Sequence, residues 1–248
     1  MTATRLLQSL LEPTGFNKIR KRLNNQNERD EFVRTQLSKL AEKSLLLDAG
    51  CGSQRHRKDC GHLRYRAQDF GQYTTDVKQM IGCIGAGGDE GYKYGKLDYV
   101  GNIWEIEERN ETFDAILCTE VLEHIPYPIE TIHEFSRLLK AGGTLILTAP
   151  SNCLRHMDPY FYSSGFSDRW YEVVLTGHGF KIEELQAVGD YYSWLAVELA
   201  RTAKANSILA KILLAPAFLY YFNKKKTQLS IDTLCMGYHV VARKLPPP

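Results

Sequence analysis

Apolar positions recur at two different spacings along this chain. Phe32, Val33, Leu37 and Leu40 fall at helical intervals, which predicts a helix ahead of residue 44. Leu45, Leu46 and Leu47 then run unbroken into Asp48-Ala49-Gly50-Cys51-Gly52. A short continuous apolar run that ends in a glycine turn predicts a parallel strand buried on both faces. Residues 63–70 predict a second, less apolar strand ending at Asp69 and Phe70, and 97–100 a weak third. Residues 74–95 are glycine-rich and predict a loop, and 113–118 predict a strongly apolar fourth strand. Ile129, Ile132, Phe135 and Leu139 mark an amphipathic helix. Lys140-Ala141-Gly142-Gly143 would end it, and 143–148 predict strand five. A helix over 170–175 closes at Gly177, and 181–188 and Gly237–Lys244 supply the last two strands.

This alternation predicts an α/β fold: a doubly wound, mostly parallel seven-stranded sheet covered by helices on both faces. A single domain over 1–248 is expected. One segment breaks the rhythm. Residues 190–234 form a helical insertion before the last strand, and within it Ile208–Phe222 is almost wholly apolar, interrupted by Lys211 and Pro216. Lys224, Lys225 and Lys226 follow directly. The run is too short and too interrupted to span a bilayer. Three roles stay open: a lid that selects the acceptor, a homodimer interface, or a membrane-surface element over 206–226 whose lysines meet anionic head groups. The last would imply a lipid-linked acceptor.

Charge and cysteine content narrow the function classes. The formal net charge is +2 and the basic stretches are short, so no nucleic-acid partner is expected. The six cysteines form no CxxC pair and no Cys/His cluster with zinc spacing. They read as reduced thiols. No carboxylate constellation marks a magnesium site, so no metal is expected. The first residues lack the ordered parts of a signal peptide. A cytoplasmic protein is expected, with membrane-surface association tied to 206–226.

The chemistry concentrates at the carboxyl ends of the predicted strands, where open α/β sheets bind ligands. Glycine in the turn after strand one permits positive φ and close approach of a ligand to the backbone. Asp69, at the end of strand two, can accept hydrogen bonds from ribose hydroxyls. A dinucleotide fingerprint would need a third glycine where Arg55 stands. Asp48 could meet an ammonium or sulfonium instead.

Longer stretches agree with this. They are Leu-Asp-Ala-Gly-Cys-Gly at 47–52, Gln-Asp-Phe-Gly-Gln-Tyr at 68–73, Thr-Phe-Asp-Ala-Ile-Leu-Cys-Thr-Glu-Val-Leu-Glu-His-Ile at 112–125, Glu-Phe-Ser-Arg-Leu-Leu-Lys-Ala-Gly-Gly-Thr-Leu-Ile-Leu-Thr-Ala-Pro at 134–150 and His-Met-Asp-Pro-Tyr-Phe-Tyr-Ser-Ser-Gly-Phe at 156–166. In that order they resemble the class I S-adenosylmethionine-dependent methyltransferases, in particular the type 11 group. The resemblance implies that Asp48, Ala49, Gly50, Cys51 and Gly52 form the loop around the methionine end of S-adenosylmethionine. It implies Asp69 at the ribose, with Phe70, Asn102 and Ile103 beside the adenine. Asn102 stands where the family often has an acid. Cys118, Thr119 and Glu120 would lie beneath the transferable methyl.

His156 and Tyr160 follow strand five and are the acceptor-side candidates, with His156 as the base. His124 is a third catalytic candidate, although its place beside Glu123 also fits a structural role. The Asn/Asp-Pro-Pro-aromatic motif of enzymes that methylate planar amines is missing after strand four. The expected reaction is in-line O-methylation of a hydroxyl on a glycan, sugar or other small molecule. Two alternatives remain: a nicotinamide-dependent enzyme on the related fold, and a non-catalytic S-adenosylmethionine-binding module.

Overall fold

The computed structural model describes residues 25–73 and 93–246. Most of the glycine-rich loop, Cys83 and the basic stretch 18–22 lie outside them. Helix α1 (Gln26–Ser38) buries Phe32, Val33 and Leu37. Seven strands follow: β1 (Leu45–Ala49), β2 (Arg64–Asp69), β3 (Tyr99–Val100), β4 (Phe113–Thr119), β5 (Leu139–Pro150), β6 (Phe180–Val188) and β7 (Gly237–Lys244). They form one sheet in the order β3-β2-β1-β4-β5-β7-β6. β7 is antiparallel to both neighbours and the other pairings are parallel. Helix α2 (Pro128–Leu138) precedes β5, and α3 (Asp168–Gly177) precedes β6.

Strand alternation splits the core between the two faces of the sheet. Leu47 and Ala49 join Ile116, Phe135, Leu138 and Tyr171 on one face. Leu46 joins Ala115, Leu117 and Ile146 under α1 on the other. Consecutive apolar residues in β1 and β4 are thus each fully used, as the unbroken runs require. Cys51, Cys60, Cys118 and Cys235 are buried thiols among these side chains.

The boundary between α2 and β5 differs from the expectation. The helix ends at Leu138, and the expected stop at residues 140–143 lies inside β5. Leu139 is fully buried and pairs with Phe113, and the register then slips so that Ala115 meets Thr144. Burying Leu139 in a strand pairing outweighs extending the helix, and Gly142, at φ +77°, absorbs the bulge.

Between β6 and β7 lie α4 (Tyr191–Ala205), α5 (Ile208–Phe222) and α6 (Gln228–Thr233). Asp190, fully buried, holds them to the sheet. Its Oδ1 accepts from the Ser193 backbone N–H at 3.0 Å and from the Ser193 hydroxyl at 2.5 Å, capping α4. Its Oδ2 accepts from the Ser230 hydroxyl in α6 at 2.7 Å. Burial pushes the Asp190 pKa up, but the bonds from Ser193 and Ser230 outweigh it and hold the carboxyl below the usual range. Asp190→Ala is expected to lower stability by about 2 kcal/mol, combining a lost cap with lost charged hydrogen bonds. Differential scanning calorimetry should show a melting point lower by roughly 4–8 °C. Because the folded pKa is depressed, the contribution is complete above about pH 4 and fades as pH falls through the folded value. The variant should therefore lose less stability on acidification than the parent.

Candidate active site

β1 ends against a turn that only glycine can make. Gly50 sits at φ +70°, and a Cβ placed there would stand 2.5 Å from Val121 Cγ2. Two side chains of β2 hold this turn. Gln68 Oε1 accepts from Gly50 N–H at 3.1 Å, and its Nε2 donates to Gly101 C=O at 2.8 Å. Asp69 Oδ2 accepts from Gly52 N–H at 2.9 Å and Oδ1 from Gly71 N–H at 3.1 Å. The Tyr94 hydroxyl also bonds the Asp69 carboxylate. Burial pushes the Asp69 pKa up, and these donors pull it back. The loops after β1, β2 and β3 thus converge on one strand end.

A cavity of about 280 Å³ opens there. Gly50, Asp69, Phe70, Asn102, Ile103 and Glu120 line it, as do His124 and Tyr160. Gln68, Trp104, Val121, Met157 and Tyr162 also line it and were not singled out from the sequence. Ala49, Cys51, Gly52, Cys118 and Thr119 do not line it. No residue of 190–234 contributes to this wall, so the lid expectation finds no contact here. Asp48 is also off the wall. Period-two alternation puts it on the Leu46 face, where its carboxylate accepts from the Tyr65 hydroxyl at 2.5 Å. Burial pushes its pKa up to about 7. A carboxylate so placed is not a free partner for an ammonium in the cavity.

The turn after β4 carries the polar end of the cavity. Glu120 is held at φ +53°, a strained setting for a side-chain-bearing residue. Its Oε1 accepts from the Thr148 hydroxyl at 3.1 Å, and Oε2 pairs with Arg29 of α1 at 2.7 Å. Residues 122–124 make a short 3-10 turn. Backbone N–H groups of Tyr162 and Ser163 donate to Glu123 C=O at 2.9 and 3.2 Å, sewing the loop after β5 to this turn. His124 Nδ1 lies 2.6 Å from Tyr160 C=O, so Nδ1 carries the proton and Nε2 the lone pair. Burial lowers the His124 pKa to about 4, so the ring is neutral at pH 7.

His156 repeats the arrangement. Its Nδ1 lies 2.8 Å from Leu154 C=O, so the neutral tautomer carries its proton on Nδ1. It does not line the cavity, but its ring centre lies 4.6 Å from that of His124. Glu123 is 1% exposed, and its Oε2 accepts no hydrogen bond. Burial, then the neighbouring Glu120, push its pKa well above the usual range. One ligand atom from each of Glu123, His124 and His156 falls within 4.8 Å of the others. The sequence offers no reason to expect a metal, since it shows neither a carboxylate constellation nor a Cys/His cluster with zinc spacing, and His156 is remote from Glu123 and His124 in the chain. Only folding of the loop after β5 creates this set.

Comparison with known proteins decides the family. Residues 20–185 match the family model described as "Methyltransferase domain". The chain belongs to this methyltransferase family. An uncharacterized protein of Methanocaldococcus jannaschii is 29% identical over 142 residues, covering 55% of this chain and 56% of that one. The ubiquinone biosynthesis O-methyltransferase of Xanthomonas oryzae is 49% identical over 107 residues, covering 42% of this chain and 41% of the relative. The chain thus spans about half, or less, of these curated relatives. Among solved structures, a putative sarcosine dimethylglycine methyltransferase from Galdieria sulphuraria superposes with a TM-score of 0.54 at 13% identity, covering 88% of this chain and 86% of that one. Geranyl diphosphate C-methyltransferase from Streptomyces coelicolor gives 0.53 at 14%, covering 89% and 79%. At such identities the likeness shows a shared fold.

Two substitutions test the turn. Gly50→Ala is expected to lower the melting point and weaken S-adenosylhomocysteine binding together, because the added methyl collides with Val121 in a conformation that disfavours side chains. Asp69→Ala is expected to weaken that binding by about 1–3 kcal/mol, measured by titration calorimetry. Unchanged affinity in this variant would remove Asp69 from the site.

Proposed function

We propose that this protein transfers the methyl group of S-adenosylmethionine to a hydroxyl on a small acceptor, a sugar or another ring-bearing molecule. One observation carries the reading: a single cavity joins the glycine turn and Asp69 to the neutral imidazole of His124. Asp69 offers its remaining lone pairs to the ribose, and Phe70, Asn102 and Ile103 flank the adenine. Gly50 presents bare backbone to the methionine end. In the same cavity Trp104, Tyr160 and Tyr162 supply flat apolar surface for a ring, with the Tyr160 ring 4.8 Å from that of Phe70. The named activity of the Xanthomonas relative, O-methylation, supports a hydroxyl over an amine. The absence of an Asn/Asp-Pro-Pro-aromatic motif after β4 points the same way.

The sulfonium is already a good leaving group, so the chain's main contribution is alignment of acceptor oxygen, methyl carbon and sulfur. The oxygen attacks carbon as the carbon–sulfur bond breaks, and the hydroxyl proton must leave. The His156 imidazole accepts that proton, and the neutral His124 ring, which lines the cavity 4.6 Å from it, bounds the acceptor. His156→Ala is expected to lower turnover by roughly 10²-fold or more with cofactor affinity nearly unchanged. A loss confined to cofactor affinity would make His156 a structural residue.

A second reading is favoured by the orphaned Glu123 oxygen. Glu123, His124 and His156 offer a carboxylate and two unprotonated imidazole nitrogens, a set suited to a transition-metal dication. A dication bound there would compensate the buried charge and acidify a coordinated hydroxyl. Chelation followed by readdition of Mn²⁺, Co²⁺ or Zn²⁺ separates the readings. Loss and recovery of activity, with metal retention abolished in Glu123→Gln, supports the cation. Full activity in metal-free protein leaves proton transfer to His156 alone.

A further inference from the structure

Among the described residues, helix α5 gathers the largest group of exposed large apolar side chains. Ile208, Leu209, Ile212 and Leu213 are 61–71% exposed and Tyr220 is 58% exposed. Ile208, Ile212, Pro216 and Tyr220 recur every fourth residue, and Leu209 and Leu213 form the adjacent row. They make one stripe along the helix. The opposite side packs on α4, where Tyr192 and Tyr221 stack at 6.3 Å, and Phe222 is buried. The hairpin is therefore ordered, with its outer stripe uncovered.

Charge around the stripe has one sign. Between residues 199 and 231 the chain carries Arg201, Lys204, Lys211, Lys224, Lys225 and Lys226 and no acid. Arg201 is paired with Glu198. The five lysines bracket the stripe: Lys204 lies just ahead of it, Lys211 flanks its first turn, and Lys224, Lys225 and Lys226 follow its end. A helix of 15 residues is about 22 Å long, so cations stand at both ends of an apolar bar. That distribution suits a helix lying flat in a bilayer interface, stripe inward and lysines among phosphates. Among the described residues no helix is long and apolar enough to cross a membrane. A two-fold pairing of stripes would instead set two lysine-rich borders against each other.

We infer that the α4–α5 hairpin docks the protein on the surface of an anionic phospholipid bilayer. The topology gives this docking a direction. β5 and β6 are both antiparallel to β7, so they run the same way. The hairpin therefore leaves β6 at the sheet edge where β5 ends, and that edge also carries the cavity. Docking would hold the cavity-bearing edge near the bilayer, where an acceptor carried on a lipid is found.

The test is cosedimentation of the full chain with vesicles of phosphatidylcholine mixed with phosphatidylglycerol, against phosphatidylcholine alone. Binding to the anionic vesicles only, weakened by added salt, is expected. Ile212→Asp with Leu213→Asp should abolish it. Lys225→Gln with Lys226→Gln should weaken it roughly tenfold or more. These positions are solvent-exposed, so both variants should keep the parent melting point, and the lysine pair remains a test if the aspartates disturb the helix. Absence of binding to anionic vesicles overturns the inference, as does binding that neither pair of substitutions reduces. A concentration-dependent dimer that Ile212→Asp with Leu213→Asp dissociates, without vesicle binding, assigns the stripe to a second copy and also overturns it.

Discussion

The end of β2 is the point on which the site depends. Backbone N–H groups in glycine turns must find acceptors once water is excluded, and Gln68 and Asp69 provide them. Gln68 links the turn after β1 to Gly101 after β3, and Asp69 links Gly52 to Gly71. Three loops from three strands are therefore fixed by two adjacent side chains that point to opposite sides of one strand. Such pre-positioning matters for a displacement in which alignment is most of the work.

The polar end of the cavity obeys a different constraint. Glu120 is paired with Arg29 and accepts from the Thr148 hydroxyl, so both its oxygens have partners within the protein. Glu123, three residues on, has no such partner for Oε2. Burying a lone carboxylate is costly, so the group must either hold its proton or share its charge with something that binds beside it. Of the two proposals for the hydroxyl chemistry, the bound cation is the one that addresses that imbalance.

Much of this was legible in the sequence. The unbroken run Leu45–Leu46–Leu47 before a glycine turn fixed β1, and the end of β2 was placed at Asp69 from its chain position alone. What stayed hidden was set by tertiary contacts. Leu139 reads equally well as the last helical apolar residue or the first strand residue, and only its pairing with Phe113 decides. Asp48 sits in the right motif, but the parity of β1 turns its carboxylate to Tyr65. The meeting of Glu123, His124 and His156 depends on how the loop after β5 folds back, which no local spacing encodes.

The reversed strand β7, set between β5 and β6, has a further effect. Val188 and Gly237, the last residue of β6 and the first of β7, are directly paired neighbours. The chain departs and returns at almost one point, so whatever lies between closes a loop without altering any strand register. Loop closure is only weakly sensitive to loop length. The junction is in effect a socket: the segment plugged into it could be exchanged, lengthened or trimmed with the sheet undisturbed, leaving the surroundings of the cavity adjustable separately from the cavity itself.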